Sequence, residues 1–200
     1  MTFRTIRRVA TLTVFLATVP SWAGAQNIAR TKWDSTARDL FKELIEMNTS
    51  ESSGSTLKAA QAMATRLKQA GFPDSDVVVI KQTDRKGDLV ARLHGRNVTR
   101  KPILLLSHID VVEAKAEDWT LPPFTFVEKD STFYGRGVAD DKDDSAMHLA
   151  TIMRLRAEGY AGDRDIIVAL TADEERGAEQ RRGLPAAASS PTDRRRVRLQ

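Results

Sequence analysis

The ten residues KPILLLSHID, 101–110, decide how the rest of the chain is read. Ile103 to Leu106 are apolar without a break, and a polar cluster follows at once. A short continuous apolar run with no alternation is the pattern of a strand buried on both faces. The end of the run matters as much as its middle. His108 and Asp110 stand one residue apart, just where the buried segment stops. In open α/β sheets, functional residues collect at the carboxyl ends of strands. The stretch DIIVALTADEE, 165–175, repeats the design: a second apolar run delivers Asp173, Glu174 and Glu175.

Around these two runs the periodicity predicts further elements. Asp34 can cap a helix reaching about Met47, with Leu40, Phe41, Leu44 and Ile45 on one face. Ser55 or Thr56 opens a second helix with Ala59, Ala60, Met63, Leu67 and Ala70 inward, and Gly71 closes it. DVVVIK (76–81) and GDLVARLHG (87–95) read as strands, and FTFVEKDSTFYGRG (124–137) as a hairpin turning at KDS. Residues 143–158 read as a helix stopped by Gly159. Helices interleaved with two buried strands argue an α/β sandwich.

Composition bounds the function. Residues 1–25 read as a secretory signal peptide: Arg4, Arg7 and Arg8, then the apolar run Val9 to Val19, then Ala23-Gly24-Ala25. That run is short of the ~20 residues a comfortable membrane span needs. The expected mature chain is exported, periplasmic or secreted, with no stable span once the leader is removed. The sequence has no cysteine, so a metal site must be built from His, Asp and Glu. The formal charge of +4 is unevenly placed: +3 lies in residues 1–25 and +5 in residues 176–200, leaving −4 for the body. A mildly acidic body gives no ground for nucleic-acid binding.

Three polar clusters carry the chemistry. In SHID, residues i and i+2 of an extended chain share a side, so Asp110 can hold one imidazole nitrogen of His108 and leave the other for a metal. In GRGVADDKDD, Gly135 and Gly137 permit close backbone approach, and Asp140 and Asp141 follow. In ADEE, the adjacent Glu174 and Glu175 diverge, so one can bind metal while the other reaches a water as general base. Each cluster alone has an ordinary reading: a structural His–Asp pair, a solvated helix start, a solvated acidic surface. His94 and His148 match no motif and read as surface or packing histidines.

Together, in this order, the segments LLLSHIDVVEA, WTLPPFTFVEKDSTFYGRGVADDK and ALTADEE resemble a known family. It is the dinuclear-zinc amidohydrolase and exopeptidase family of carboxypeptidase G, acetylornithine deacetylase, succinyl-diaminopimelate desuccinylase and the aminoacylases. The resemblance runs from about Trp33 to Glu175. It implies a three-layer α/β/α sandwich with a mixed, mostly parallel sheet. It implies two Zn2+, with Co2+ or Mn2+ as possible replacements, held by His108, Asp140 as the bridge, and Glu175. Asp110 would orient His108, and Glu174 would be the general base. The implied reaction is hydrolysis of amide or peptide bonds in small peptides or N-acyl amino acids; a two-metal phosphoesterase and a non-functional product are the alternatives. Where the family has a small residue after DDK, this chain has Asp143 and Asp144.

Family members continue well past the DEE segment, with a further carboxylate ligand, a late histidine ligand, and an inserted α+β domain used as a lid or for dimerisation. Full-length relatives are often homodimers. Here residues 26–175 are expected to be the N-terminal part of the catalytic domain, and no histidine follows His148. Residues 176–200 are rich in arginine and read as an out-of-frame tail, not natively folded, that leaves the chain inactive. One codon choice for RRRVRLQ (194–200), shifted by one base, encodes Asp-Ala-Glu-Phe-Ala-Phe, which resembles the family segment before the missing carboxylate.

Overall fold

The two apolar runs lie side by side. In the computed structural model, which describes residues 31–175, β3 (Ile103–His108) and β6 (Ile166–Thr171) pair in parallel, with Ile103 opposite Ile166 and His108 opposite Thr171. Because the pairing is parallel and in register, SHID and ADEE leave the sheet at the same edge. The Ile109 N–H continues the ladder by donating to the Thr171 carbonyl at 2.9 Å. On the other side of β6 lies β2 (Gly87–Leu93), antiparallel to it, and β1 (Val77–Lys81) completes the order β1-β2-β6-β3.

The alternation of β2 and β6 sorts their residues onto two faces. Leu89, Ala91 and Leu93 lie opposite Leu170, Val168 and Ile166, and all six are buried. Against this face pack α2 (Thr56–Gln69), through Ala59, Ala60, Met63 and Leu67, and α3 (Lys142–Ala157), through Ala146, Leu149, Ala150, Ile152 and Met153. Helix α1 (Lys32–Glu46) lies on α3 and closes the core with Leu40, Phe41, Leu44 and Ile45. Burial of each large aliphatic side chain contributes roughly 1.5–3 kcal/mol. A hairpin, β4 (Val127–Lys129) and β5 (Thr132–Tyr134), packs Phe126 and Phe133 edge-on against Phe41 at 5.5 and 5.6 Å. Its turn at Asp130 and Ser131 has both residues at positive φ, the geometry of a tight two-residue hairpin loop.

The α/β class and the mixed sheet are as expected. Two features differ. One of the three pairings is parallel, so the described sheet is not mostly parallel. Nor is β3 buried on both faces: Leu104 and Leu106 are 57% and 58% exposed, because both sheet-packing helices lie on the opposite face. Among the described residues the architecture is thus one helical face on one sheet. The start of α1 also differs. Thr31, not Asp34, is the N-cap, and Asp34 is its partner in a capping box, reaching back to the Thr31 N–H and Oγ1. Ala70, expected inward, is exposed at the end of α2. The expected signal peptide (1–25) and the arginine-rich tail (176–200) lie outside the described residues.

Candidate metal centre

His108 ends β3 and is buried, with 8% exposure. Its Nδ1 faces acceptors: the Asp110 backbone carbonyl at 3.1 Å and the Asp110 Oδ1 at 3.5 Å. With Nδ1–H donating to Asp110, Nε2 is the atom left to ligate once the ring gives up its second proton. The expected orienting role of Asp110 is therefore shared, since its own carbonyl stands closer than its carboxylate. The other carboxylate oxygen, Oδ2, accepts the Glu175 N–H at 2.9 Å and ties the two strand ends together.

Nε2 points at carboxylates. Asp140 Oδ1 stands 2.9 Å away and Glu174 Oε2 3.8 Å away. Ligand atoms of His108, Glu174 and Glu175 all lie within 4.8 Å of one another. Asp140, expected as the bridge, reaches His108 but stands outside that convergent trio, with its side chain 73% exposed. A cis peptide joins it to Asp141. Asp141 is the N-cap residue of α3 and turns its carboxylate to the His108 N–H at 3.1 Å. The glycines before this loop act as the sequence implies. Gly137 has φ +88, and a Cβ there would meet Val111 Cγ1 at 2.9 Å. An imidazole and carboxylates, with no thiolate, form a donor set that suits Zn2+, Co2+ or Mn2+.

The charges bear the mark of this crowding. The Asp110 carboxylate, helped by Asp140, raises the His108 pKa to about 9 against the opposing effect of burial. Burial pushes Asp110 upward, but His108 and the backbone N–H groups of Glu175 and Glu174 outweigh it and hold the carboxyl below its ordinary value. Burial and then the Asp140 charge raise Glu175. Burial also raises Asp141, with the Asp144 and Asp143 charges adding to it. The two extra acids after DDK occupy the first turn of α3, where the helix dipole favours them.

Several supporting residues escaped the sequence reading. Lys142 is fully buried, and its Nζ donates to the Leu44 and Met47 carbonyls, both at 2.8 Å, fastening the start of α3 to the end of α1. Ser145 Oγ donates to the His108 carbonyl at 3.3 Å. His148 Nδ1 stands 3.3 Å from Ser107 Oγ and His94 Nε2 3.1 Å from Asp76 Oδ1, and neither belongs to the convergent trio. A cleft of about 400 Å3 opens against Asp110 and Glu175, walled by Glu51, Ser52, Val111, Val112 and Glu113.

A sheet that brings one imidazole and several carboxylates together where two parallel strands end, beside an open cleft, has the donor groups that a metal centre needs. Comparison with known proteins makes this specific. Residues 104–198 match the family model described as Peptidase family M20/M25/M40. The match runs past Glu175, where the motifs quoted above stop. The chain is 33% identical over 144 residues to pig (Sus scrofa) aminoacylase-1, covering 70% of this chain and 34% of that protein. It is 37% identical over 83 residues to the human (Homo sapiens) N-fatty-acyl-amino acid synthase/hydrolase PM20D1, covering 42% of this chain and 16% of that protein. In fold it is similar to an M20 family metallo-carboxypeptidase from Sulfolobus solfataricus, with TM-score 0.57 and 16% identity, over 68% of this chain and 30% of that one. The chain thus spans about a third or less of the length of these relatives.

Proposed function

We propose that this chain is the N-terminal, site-bearing part of a two-metal hydrolase acting on amide bonds of small peptides or N-acyl amino acids. The observation that carries the reading is the convergence of His108, Glu174 and Glu175 within 4.8 Å at one sheet edge. His108 and Glu175 would each hold one ion, and Asp140 would bridge them. Bound ions of the Zn2+ type would polarise the scissile carbonyl and acidify a water. Glu174, half-exposed beside His108, would take the proton of the attacking water and return it to the leaving nitrogen. Asp110 keeps the His108 ring in the tautomer that offers Nε2. The names of the relatives, an aminoacylase and an acyl-amino-acid hydrolase, support the substrate class.

We also propose export, on the leader pattern of residues 1–25, and a tail from near Arg176 that is out of frame and leaves this product inactive. The family match into residues 176–198 weighs the other way for the tail. Reading the genomic DNA from the Asp173 codon onward decides it. An offset frame that stays open and encodes an early carboxylate and a late histidine is the expected result; one that closes at once removes the proposal. The product of that longer frame is then assayed with N-acyl amino acids, dipeptides and a phosphomonoester. Amide hydrolysis abolished by Glu174→Gln is expected. Turnover of the phosphomonoester alone, or turnover indifferent to Glu174, contradicts the assignment.

A further inference from the structure

The loop that carries Glu174 and Glu175 is fastened by residues of the β1–β2 hairpin, far away in sequence. Asp173 has φ +71, in the left-handed region that Asp and Asn enter more readily than most residues. Its carboxylate Oδ1 accepts from Lys86 Nζ at 2.6 Å, and the same ammonium reaches Glu51 Oε2 at 2.5 Å. One residue earlier, the Ala172 N–H donates to Asp88 Oδ1 at 2.9 Å, and Gln82 Nε2 holds the other oxygen of Asp88 at 2.6 Å. The hairpin end is itself fixed. The Lys86 carbonyl accepts the Gln82 N–H at 2.9 Å, and Thr83 Oγ1 accepts the Lys86 N–H at 3.0 Å.

We infer that Lys86 is a positioning residue: through Asp173 it sets where the Glu174 and Glu175 carboxylates stand relative to His108. This rests on the roles proposed above for those two glutamates. Lys86 touches none of the candidate ligand atoms, so its influence passes through the loop. Two observations separate this from an ordinary surface lysine. Its side chain is 14% exposed, where exposed lysines normally extend into water, and both its acceptors lie within 2.6 Å. It also binds two different loops, 48–55 through Glu51 and 172–175 through Asp173, and both border the cleft beside Asp110. Truncation should free the carboxylate loop without unpacking the core, because Lys86 makes these contacts outside the hydrophobic cluster.

Hydrogen exchange by mass spectrometry on the full chain tests this, with Lys86→Met, Lys86→Arg, Asp173→Asn and the control Lys81→Met. Lys81 lies on the same hairpin and pairs with exposed Asp84. The expected result is about tenfold faster exchange of the Ala172–Glu175 amides in Lys86→Met and Asp173→Asn, with β2 and β6 unchanged. Lys86→Arg should restore most of the protection, and Lys81→Met should change nothing there. Unchanged exchange at 172–175, or equal acceleration across the whole sheet, overturns the inference. If Lys86→Met does not fold, Asp173→Asn decides alone, since asparagine keeps the left-handed tolerance and removes only the charge. A cobalt titration of the same proteins tells the two readings apart. Cobalt binding by the unmodified chain that weakens about tenfold in Lys86→Met supports both. Absence of cobalt binding by the unmodified chain removes the metal reading, while the exchange result still decides Lys86.

Discussion

The His108 ring should titrate far above an ordinary histidine, and the reason can be dissected. The structure places its pKa at about 9 against a usual 6.5, with the Asp110 carboxylate as the largest cause and Asp140 a smaller one. At ~1.4 kcal/mol per unit, this preference for the charged ring corresponds to roughly 3 kcal/mol. The folded value lies above the unfolded one. The contribution to stability is therefore full below pH 6.5 and is lost as pH rises through about 9. Overall stability is a poor reporter of it. Buried Lys142, lowered to about 7, contributes with the opposite slope above that pH. The ring is better read directly, by long-range proton–nitrogen NMR correlations of the metal-free chain across pH 5–10 (~0.5-unit steps resolve such a shift). Asp110→Asn should lower the titration more than Asp140→Asn does, since burial is then opposed by less charge. A ring that titrates near 6.5 in the unmodified chain, or responds more to Asp140 than to Asp110, refutes the geometry assigned to the centre.

Other perturbations have definite outcomes. Lys142→Met leaves the Met47 carbonyl without the Lys142 donor, while the Leu44 carbonyl keeps the Met47 N–H at 3.2 Å; urea unfolding should show a loss of about 1–3 kcal/mol, and a change under ~0.5 would mean the Met47 carbonyl finds another partner. Leu149→Ala removes a fully buried side chain of α3 and should cost about 2–5 kcal/mol by the same assay. Leu104→Glu with Leu106→Glu alters two residues that are more than half exposed. Stability should then change by less than ~1 kcal/mol while aggregation on concentration falls, as light scattering would show. A large loss of stability would mean that this face is covered in solution.

Much of the fold was legible because hydrophobic period and turn residues act locally. The runs at 103–106 and 166–170 became β3 and β6, and Gly71 and Gly159, at φ +89 and +73, follow the helices they were expected to end. What failed was information about cover. An apolar run states that a strand can be buried on both faces, but not which helices reach them, so the exposure of Leu104 and Leu106 was invisible. The start of α1 was misplaced for a different reason. Thr31 and Asp34 are both good caps three residues apart, and only the reciprocal hydrogen bonds choose between them. That His108, Asp110, Glu174 and Glu175 would gather in one place was legible, because SHID and ADEE end two apolar runs that pair in parallel. Lys86 was not, because its partner Asp173 lies 87 residues away and a lone lysine in a hairpin has no pattern. Lys142 was hidden inside a motif read for its acids.

Calorimetric titration of Zn2+ into the metal-free chain, beside His108→Asn and Glu175→Gln, asks whether these side chains hold an ion. Saturable binding accompanied by proton release is expected, since a His108 pKa of about 9 favours the charged ring at neutral pH, with affinity reduced about tenfold or more in either variant. No binding, or binding that both variants leave unchanged, would contradict the placement of a metal centre at the shared edge of β3 and β6.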